Sequence, residues 1–258
     1  VIAHTLCGGR APSEAMLDGV NTTANRTYVL IGGGTGIGYA VAEKLIGLGA
    51  RVVLGGRTST TLEQAASRLG GHTRWATVDT SEDESVQQFF RSVDTVDGIF
   101  TTAAGYRTGS MRELSITDAS TPFESKFWGQ YRVVKAALEL LAADASIVLM
   151  SGAASVRPPA PAPAYVAANA AIEGLARGLA VELAPIRVNA IAPGTIDGHL
   201  WLQREESIRT AAFEQYSRDA LLRRPGHEHE IADSVVYLLT STYTTGSTLY
   251  PDGGYALR

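Results

Sequence analysis

TYVLIGGGTGIG runs from Thr27 to Gly38 and changes character twice. Tyr28 to Ile31 are apolar and rich in β-formers, the mark of a buried parallel strand. Glycines follow at Gly32, Gly34, Gly36 and Gly38. Ile37, Val41, Leu45 and Leu48 then recur at helical spacing. Strand, glycine turn and helix in that order form the setting in which a dinucleotide is held. Glycine lets a pyrophosphate approach the main chain, and a helix N-terminus offers it unpaired N–H groups and partial positive charge. The plainer reading is a glycine-rich turn with no ligand. A second strand, Arg51 to Leu54, follows at βαβ distance and favours nucleotide binding.

From Gly32 the glycines read G-x-x-x-G-x-G, and here the chain resembles the short-chain dehydrogenase/reductase family, whose signature is T-G-x-x-x-G-x-G. Ile31 stands where that family usually has Thr. The resemblance runs from about Tyr28 to the C-terminus. It implies an α/β fold, a single-domain Rossmann-type doubly wound parallel sheet flanked by helices, over residues 27–258, preceded by an N-terminal extension, residues 1–26. It also implies a cofactor cradle of Gly32, Gly34, Thr35, Gly36, Ile37 and Gly38.

Composition is consistent with that class. The 258 residues are 45% hydrophobic and 19% charged, enough for a core in one large α/β domain. The net charge of −4, with no basic block, argues against nucleic acid or an anionic membrane as partner. Cys7 is the sole cysteine, so neither an internal disulfide nor a cysteine zinc site is expected, and no metal is assigned. No run approaches the ~20 apolar residues of a transmembrane helix. The start lacks a basic region and apolar core, so no secretory signal is read and a reducing, cytoplasmic setting is expected. The chain opens on Val1 rather than Met, which leaves an upstream start open.

Strands and helices alternate to the end, which argues a parallel sheet. Predicted strands are Thr73 to Val78, Gly98 to Thr102, Ser146 to Met150, Arg187 to Ile191 and Ser247 to Tyr250. Predicted helices are Thr58 to Leu69, Ser81 to Val93 (capped by Thr80 or Ser81), Pro122 to Leu141, Ala164 to Leu183 and Glu228 to Leu239. Thr195 to Leu222 is expected to be helical in pieces.

In NAD-dependent members of the resembled family an acidic residue ends the second strand and accepts the ribose hydroxyls. Counting from Gly38, that position is Gly56, and Arg57 follows. An arginine pairs bidentately with a phosphate, so NADP(H) is predicted; otherwise Arg57 is a solvated residue at a helix start. The resemblance gives Asp79 the adenine amino group, with a capping role as the plainer alternative. It lays Ala104, Gly105, Pro193, Gly194, Thr195 and Ile196 along the nicotinamide end. Ala103 replaces the family's usual Asn.

The family's catalytic run is Y-x-x-x-K, with a Ser some thirteen residues earlier. Its Tyr protonates a carbonyl, its Lys lowers the Tyr pKa and its Ser orients the substrate oxygen. Here the run is Tyr165-Val166-Ala167-Ala168-Asn169, with Asn in place of Lys. Glu182 to Ala190 matches the family closely and fixes the register. The Ser position falls on Gly152; Ser151 and Ser155 are the neighbouring candidates. An unassisted phenol titrates near ~10 and is a poor acid at neutral pH. The family's N-x-x-G on the preceding helix reads Lys126-Phe127-Trp128-Gly129, so Lys and Asn have exchanged places. The hypothesis is that Lys126 supplies the cation from the other side; a solvated helix lysine is the alternative.

Gly198 stands where the family often has Thr. Leu200 and Trp201 suggest an apolar substrate, and His199 is an alternative proton donor. His227 and His229 have metal-like spacing, although helix-cap polarity explains them as well. Ala170, Gly174 and Gly178 allow close helix packing, and the resemblance implies a homodimer or homotetramer. The first functional reading is an NADPH-dependent reductase of a carbonyl, imine or iminium of a small molecule, with an altered catalytic set. The alternatives are a cyclase on the same fold, Diels–Alderase-like and of secondary metabolism, or an NADP(H) sensor without turnover.

Overall fold

In β1 (Thr27–Ile31), Tyr28 and Leu30 enter one apolar layer while Val29 and Ile31 enter the other. A strand buried on both faces requires that alternation. A computed structural model of the chain describes residues 23–102, 105–158 and 160–257. The other sheet strands are β2 (Arg51–Gly56), β3 (Thr73–Thr77), β4 (Val96–Thr101), β5 (Leu141–Met150) and β6 (Arg187–Ile191). After β7 (Ile196–Asp197) and β8 (Gly226–His227), which pair with each other, β9 (Thr248–Leu249) completes the main sheet. Seven parallel strands lie in the order β3-β2-β1-β4-β5-β6-β9. The order reverses between β1 and β4, which opens a crevice at their C-terminal ends, where open α/β sheets bind ligands.

Helices α1 (Gly36–Gly47), α2 (Ser59–Leu69) and α9 (Glu228–Thr240) cover one face through Val41, Leu45, Leu62, Ile231 and Val235. On the other face lie α3 (Asp83–Phe90), α5 (Gly129–Ala137) and α6 (Pro163–Glu182), packing through Phe89, Val133, Ile172 and Ala176. Each large apolar side chain fully buried there contributes roughly 1.5–3 kcal/mol. The remaining α-helices are α4 (Ile116–Thr121), α7 (His199–Leu202) and α8 (Glu206–Asp219). No helix among the described residues is long and apolar enough to cross a membrane.

Several expected boundaries need correction. The long helix does not run from Pro122 to Leu141. It begins as α4, where the Ser115 hydroxyl accepts the Asp118 N–H at 3.0 Å. It continues as a π-helical turn, Pro122–Trp128, then α5, and ends in a 3-10 turn, Leu138–Leu140. Leu141 already belongs to β5, which therefore starts five residues before Ser146; a register shift against β4 between Val96 and Gly98 absorbs the extra length. Helix α3 starts at Asp83 rather than Ser81, and neither Thr80 nor Ser81 caps it. The Asp79 carboxylate instead accepts from the Ser81 N–H (3.0 Å) and hydroxyl (2.6 Å), a local turn that delays the helix. The last strand is shorter than Ser247 to Tyr250. Residues 1–22 of the expected extension lie outside the described residues.

Candidate active site

The turn after β1 meets the N-terminus of α1. Gly36 has φ +58°, a left-handed backbone that favours glycine. Gly38 is needed for contact: a Cβ there would lie 2.2 Å from the Gly32 carbonyl oxygen. Thr35 takes the N-cap position in extended geometry without a side-chain cap, and the first turn of α1 carries no acidic residue. The leading N–H groups of α1, which a helix cannot pair internally, are thus left for an anion. Gly32, Gly34 and Ile37 complete that wall. The residues fit a dinucleotide pyrophosphate.

One carboxylate intrudes. Glu228, at the start of α9, accepts the His199 N–H at 2.6 Å. It fills the space beside Gly198, where a Cβ would come within 2.2 Å of its Oε1, and it also lies against Gly36. A threonine at position 198 would therefore require the Glu228 side chain to move. A negative side chain beside a pyrophosphate site opposes the ligand's charge. Glu228→Gln keeps an acceptor for the His199 N–H and removes the charge. It is expected to tighten binding of a dinucleotide about threefold at low salt, with less gain at high salt, as read by fluorescence titration.

Farther along the crevice, Arg57 is exposed at the end of β2 and forms no ion pair among the described residues. Asp79 is held below the usual carboxylate range, first by its hydrogen bonds from Ser81 and then by the Arg57 charge. Gly105 is exposed beyond β4, while Ala103 and Ala104 lie outside the described residues. The segment from Pro193 to Ile196 leaves β6 toward the same crevice. The Pro193 carbonyl accepts the Ala153 N–H at 2.9 Å, the Thr195 carbonyl accepts the Gly226 N–H at 3.0 Å, and Ile196 pairs with Gly226. The Gly194 N–H donates to the Pro251 carbonyl at 3.4 Å.

The catalytic candidates converge behind this rim. The π-helical turn carries Lys126 into the interior, where it is 4% exposed. Such a turn adds a residue to the helical circuit and commonly marks a functional position. The Lys126 Nζ donates to the Ser151 carbonyl at 2.8 Å and to the Asn169 Oδ1. It also lies 5.4 Å from the centre of the Tyr165 ring. Asn169 is fully buried, and its Nδ2 donates to the Tyr165 carbonyl at 2.8 Å. Its amide therefore links the Lys126 ammonium to the backbone of α6. Burial would raise the Tyr165 pKa, but the Lys126 charge and hydrogen bonds from Tyr106 and Asn169 outweigh it, so the phenol lies below its ordinary value. Burial lowers Lys126, opposed by Tyr165 and Glu173.

Ser151 is buried next to this group, but its hydroxyl turns elsewhere. It lies 3.0 Å from the Asn169 carbonyl and 2.9 Å from the Glu173 Oε1. Glu173, itself buried, also accepts the Tyr250 hydroxyl at 2.7 Å. The position that faces the phenol is Gly152, where a Cβ would lie 3.6 Å from the Tyr165 hydroxyl. Ser155 carries a buried hydroxyl without a hydrogen-bond partner among the described residues. The nearest second hydroxyl is that of Tyr106, which donates to the Tyr165 oxygen at 3.3 Å while the rings stack at 4.7 Å. Sequence reasoning missed Tyr106 and Glu173. Tyr106 follows Gly105 directly, so its place just beyond β4 was the available signal.

His199 stands apart from this group. His199 is exposed and its Nε2 is 2.7 Å from the Gln203 amide nitrogen. Trp201 packs edge-on against Phe213 at 5.5 Å, and Arg204 lies over its ring. His227 stacks on His229, and the Glu230 carboxylate accepts the His227 N–H at 2.8 Å, a helix-start arrangement. Among the described residues no cluster of His, Cys, Asp and Glu could hold a metal. A recess of about 370 Å³ lined by Pro158, Ala160, Pro161, Pro163, Val166 and Ala167, with Ala162, gives the start of α6 an apolar surface.

Known proteins resemble the chain over nearly all of its length. A family model described as Enoyl-(Acyl carrier protein) reductase matches residues 32–256. Carbonyl reductase family member 4 of Danio rerio is 32% identical over 243 residues, covering 90% of this chain and 99% of that protein. An NADPH-bound short chain oxidoreductase of Pseudomonas aeruginosa PAO1, described as containing an atypical catalytic center, superposes with a TM-score of 0.82 at 29% identity, over 90% of this chain and 98% of that one. The MalC reductase/Diels-Alderase of Malbranchea aurantiaca superposes with a TM-score of 0.84, over 92% of this chain and 99% of that one; at 23% identity it shares the fold.

Proposed function

The chain belongs to the short-chain dehydrogenase/reductase family, a family of oxidoreductases that bind nicotinamide cofactors, and on that premise we propose that it reduces a carbonyl or imine of an apolar small molecule with NADPH. The observation that carries this reading is the buried Lys126 ammonium, joined to Asn169 and set 5.4 Å from the Tyr165 ring centre. The exchange of Lys and Asn along the sequence thereby keeps a cation beside the phenol.

When bound, the nicotinamide supplies hydride. Tyr165 gives its proton to the substrate oxygen or nitrogen, and the phenolate left behind is stabilised by Lys126. An iminium already carries that proton and needs no strong acid, so the same site accepts it with less demand on Tyr165.

The choice of NADPH rests on Arg57 beside the carboxylate-free Gly56, and the NADPH-bound relative at 29% identity supports it. Arg57→Ser is expected to raise the NADPH Kd about tenfold or more and to leave NADH within about twofold, since only a charge-assisted phosphate contact is lost. A Cβ at Gly56 first meets the Leu62 side chain at 3.4 Å, so Gly56→Asp fits and should complete the inversion. A homodimer or homotetramer is supported by exposed Trp128, Tyr131 and Val181 along the π-helical turn, α5 and α6, and sedimentation tests it.

The function is tested by fluorescence titration with NADPH and NADH, then by turnover on ketones, aldehydes and cyclic imines. NADPH oxidation coupled to formation of an alcohol or amine upholds the reading. Tight binding with no oxidation across the panel, and a rearranged product without net NADPH consumption, would assign the site to cyclisation instead.

A further inference from the structure

Neither position 152, which is glycine, nor Ser151, whose hydroxyl is turned toward Glu173, offers Tyr165 a serine hydroxyl to share the substrate oxygen. Resting on the reductase reading, we propose that Tyr106 supplies this second hydroxyl, so that a substrate carbonyl oxygen is held between two phenols. The two phenol oxygens are 3.3 Å apart. An acceptor about 2.7–2.8 Å from each closes a triangle with ordinary O–H···O distances. The stacked rings, 4.7 Å apart and inclined by 30°, hold Tyr106 in that position without help from its hydroxyl.

The electrostatics favour the same division of labour. Burial, the Tyr165 charge and the shared hydrogen bond all raise the Tyr106 pKa well above the usual phenol value, with Arg204 opposing. Tyr165 moves the other way. The Lys126 Nζ lies 5.4 Å from the centre of the Tyr165 ring, so the cation backs that phenol and favours its loss of the proton. Tyr106 remains a hydrogen-bond donor throughout, while Tyr165 transfers the proton. In the free protein Tyr106 donates to Tyr165; with a carbonyl bound, both hydroxyls turn to the substrate oxygen. The charged group behind Tyr165 is Lys126, and Arg204 after α7 faces Tyr106.

The test has two arms. The first needs no substrate: tyrosinate absorbance is followed against pH in wild type and Tyr106→Phe, with Tyr165→Phe subtracted from the first and the double variant Tyr106→Phe/Tyr165→Phe from the second to isolate the Tyr165 transition. The Tyr165 pKa is expected to rise by about one unit in Tyr106→Phe. The second arm measures reduction of a simple aryl ketone and of a cyclic imine. For the ketone, kcat is expected to fall about 100-fold in Tyr106→Phe with KM within twofold, as when one donor to a reacting oxygen is removed. The imine loses far less. Adding Gly152→Ser to Tyr106→Phe should restore part of the ketone rate, because that Cβ stands next to the phenol and only the Asn169 side chain must yield, at 3.2 Å.

An unmoved Tyr165 pKa in a folded Tyr106→Phe protein overturns the pairing whatever the substrate. Equal losses for ketone and imine, without rescue by Gly152→Ser, reduce Tyr106 to packing and also overturn it. If wild type reduces neither probe, the reductase reading is what fails, and the titration alone then decides whether the two phenols act as a pair.

Discussion

Lys126→Asn is expected to cut NADPH-dependent turnover about 100-fold, and the double variant Lys126→Asn/Asn169→Lys to recover most of the loss. General acid catalysis contributes about 10²–10⁴-fold when the acid is matched to the working pH. Burial alone raises the Tyr165 pKa, and the Lys126 charge is the largest influence acting the other way. Removing that charge leaves burial opposed only by the hydrogen bonds from Tyr106 and Asn169, so the phenol becomes a weaker acid than in wild type. The double variant returns a cation to the same buried space, since Lys126 Nζ and Asn169 Oδ1 are already in contact. Asn169→Lys alone should fail for a different reason: two ammonium groups would share one buried site, costing about 3–5 kcal/mol as an uncompensated buried charge does. The cycle is therefore strongly non-additive, as expected of residues in contact.

The pH dependence gives the sign independently of rate. Reduction needs the protonated phenol, so it is fully present at lower pH and lost as pH rises through the Tyr165 pKa. In wild type that loss comes below the ordinary phenol value. In Lys126→Asn it should move to higher pH while the plateau drops, and in the double variant it should move back. The limb for alcohol oxidation, which needs the phenolate, should shift in the same direction in each variant. Turnover measured from neutral to alkaline pH in both directions checks this. A single variant with the wild-type pH limb would detach Lys126 from Tyr165.

The glycine turn was legible because it is local, while the register of Tyr165 and the exchange of Lys126 with Asn169 could be read only against the motifs of the resembled family. Register also led the count to Gly152, where an added Cβ would lie 3.6 Å from the Tyr165 hydroxyl. The π-helical turn was not legible. Pro122 reads as the first residue of a helix, whereas the capping signal lies earlier at Ser115. Tyr106 was missed because its hydroxyl matters only through Tyr165, 59 residues away in sequence. Glu228 was read only as the first residue of a helix; its contact with the His199 N–H joins residues 29 apart in sequence. Single-chain periodicity reports which face is buried, and it is silent about which polar tips meet across elements.

Gly38→Ala is expected to destabilise the protein by about 2–4 kcal/mol and to weaken NADPH binding about 100-fold or more. The added methyl would lie 2.2 Å from the Gly32 oxygen, 2.8 Å from the Gly32 carbonyl carbon and 3.0 Å from the Gly33 Cα. All three are backbone atoms, so no rotamer change relieves the clash. Gly38 has no left-handed φ, which makes the effect one of contact alone. Relief requires α1 to lift from the turn, taking Val41, Ala42 and Leu45 from their layer and tilting the N–H groups away from the pyrophosphate position. Gly47→Ala, in the same helix, supplies the control. A Cβ there meets nothing within 4 Å, the residue is exposed, and its φ is not left-handed. It should stabilise the fold by about 0.5–1 kcal/mol, because alanine loses less backbone entropy than glycine. Denaturant unfolding and NADPH titration of the two variants should therefore give stability changes of opposite sign, with binding lost only in the first. If Gly38→Ala bound NADPH like wild type, close approach of α1 to the glycine turn could not be what builds the cofactor cradle.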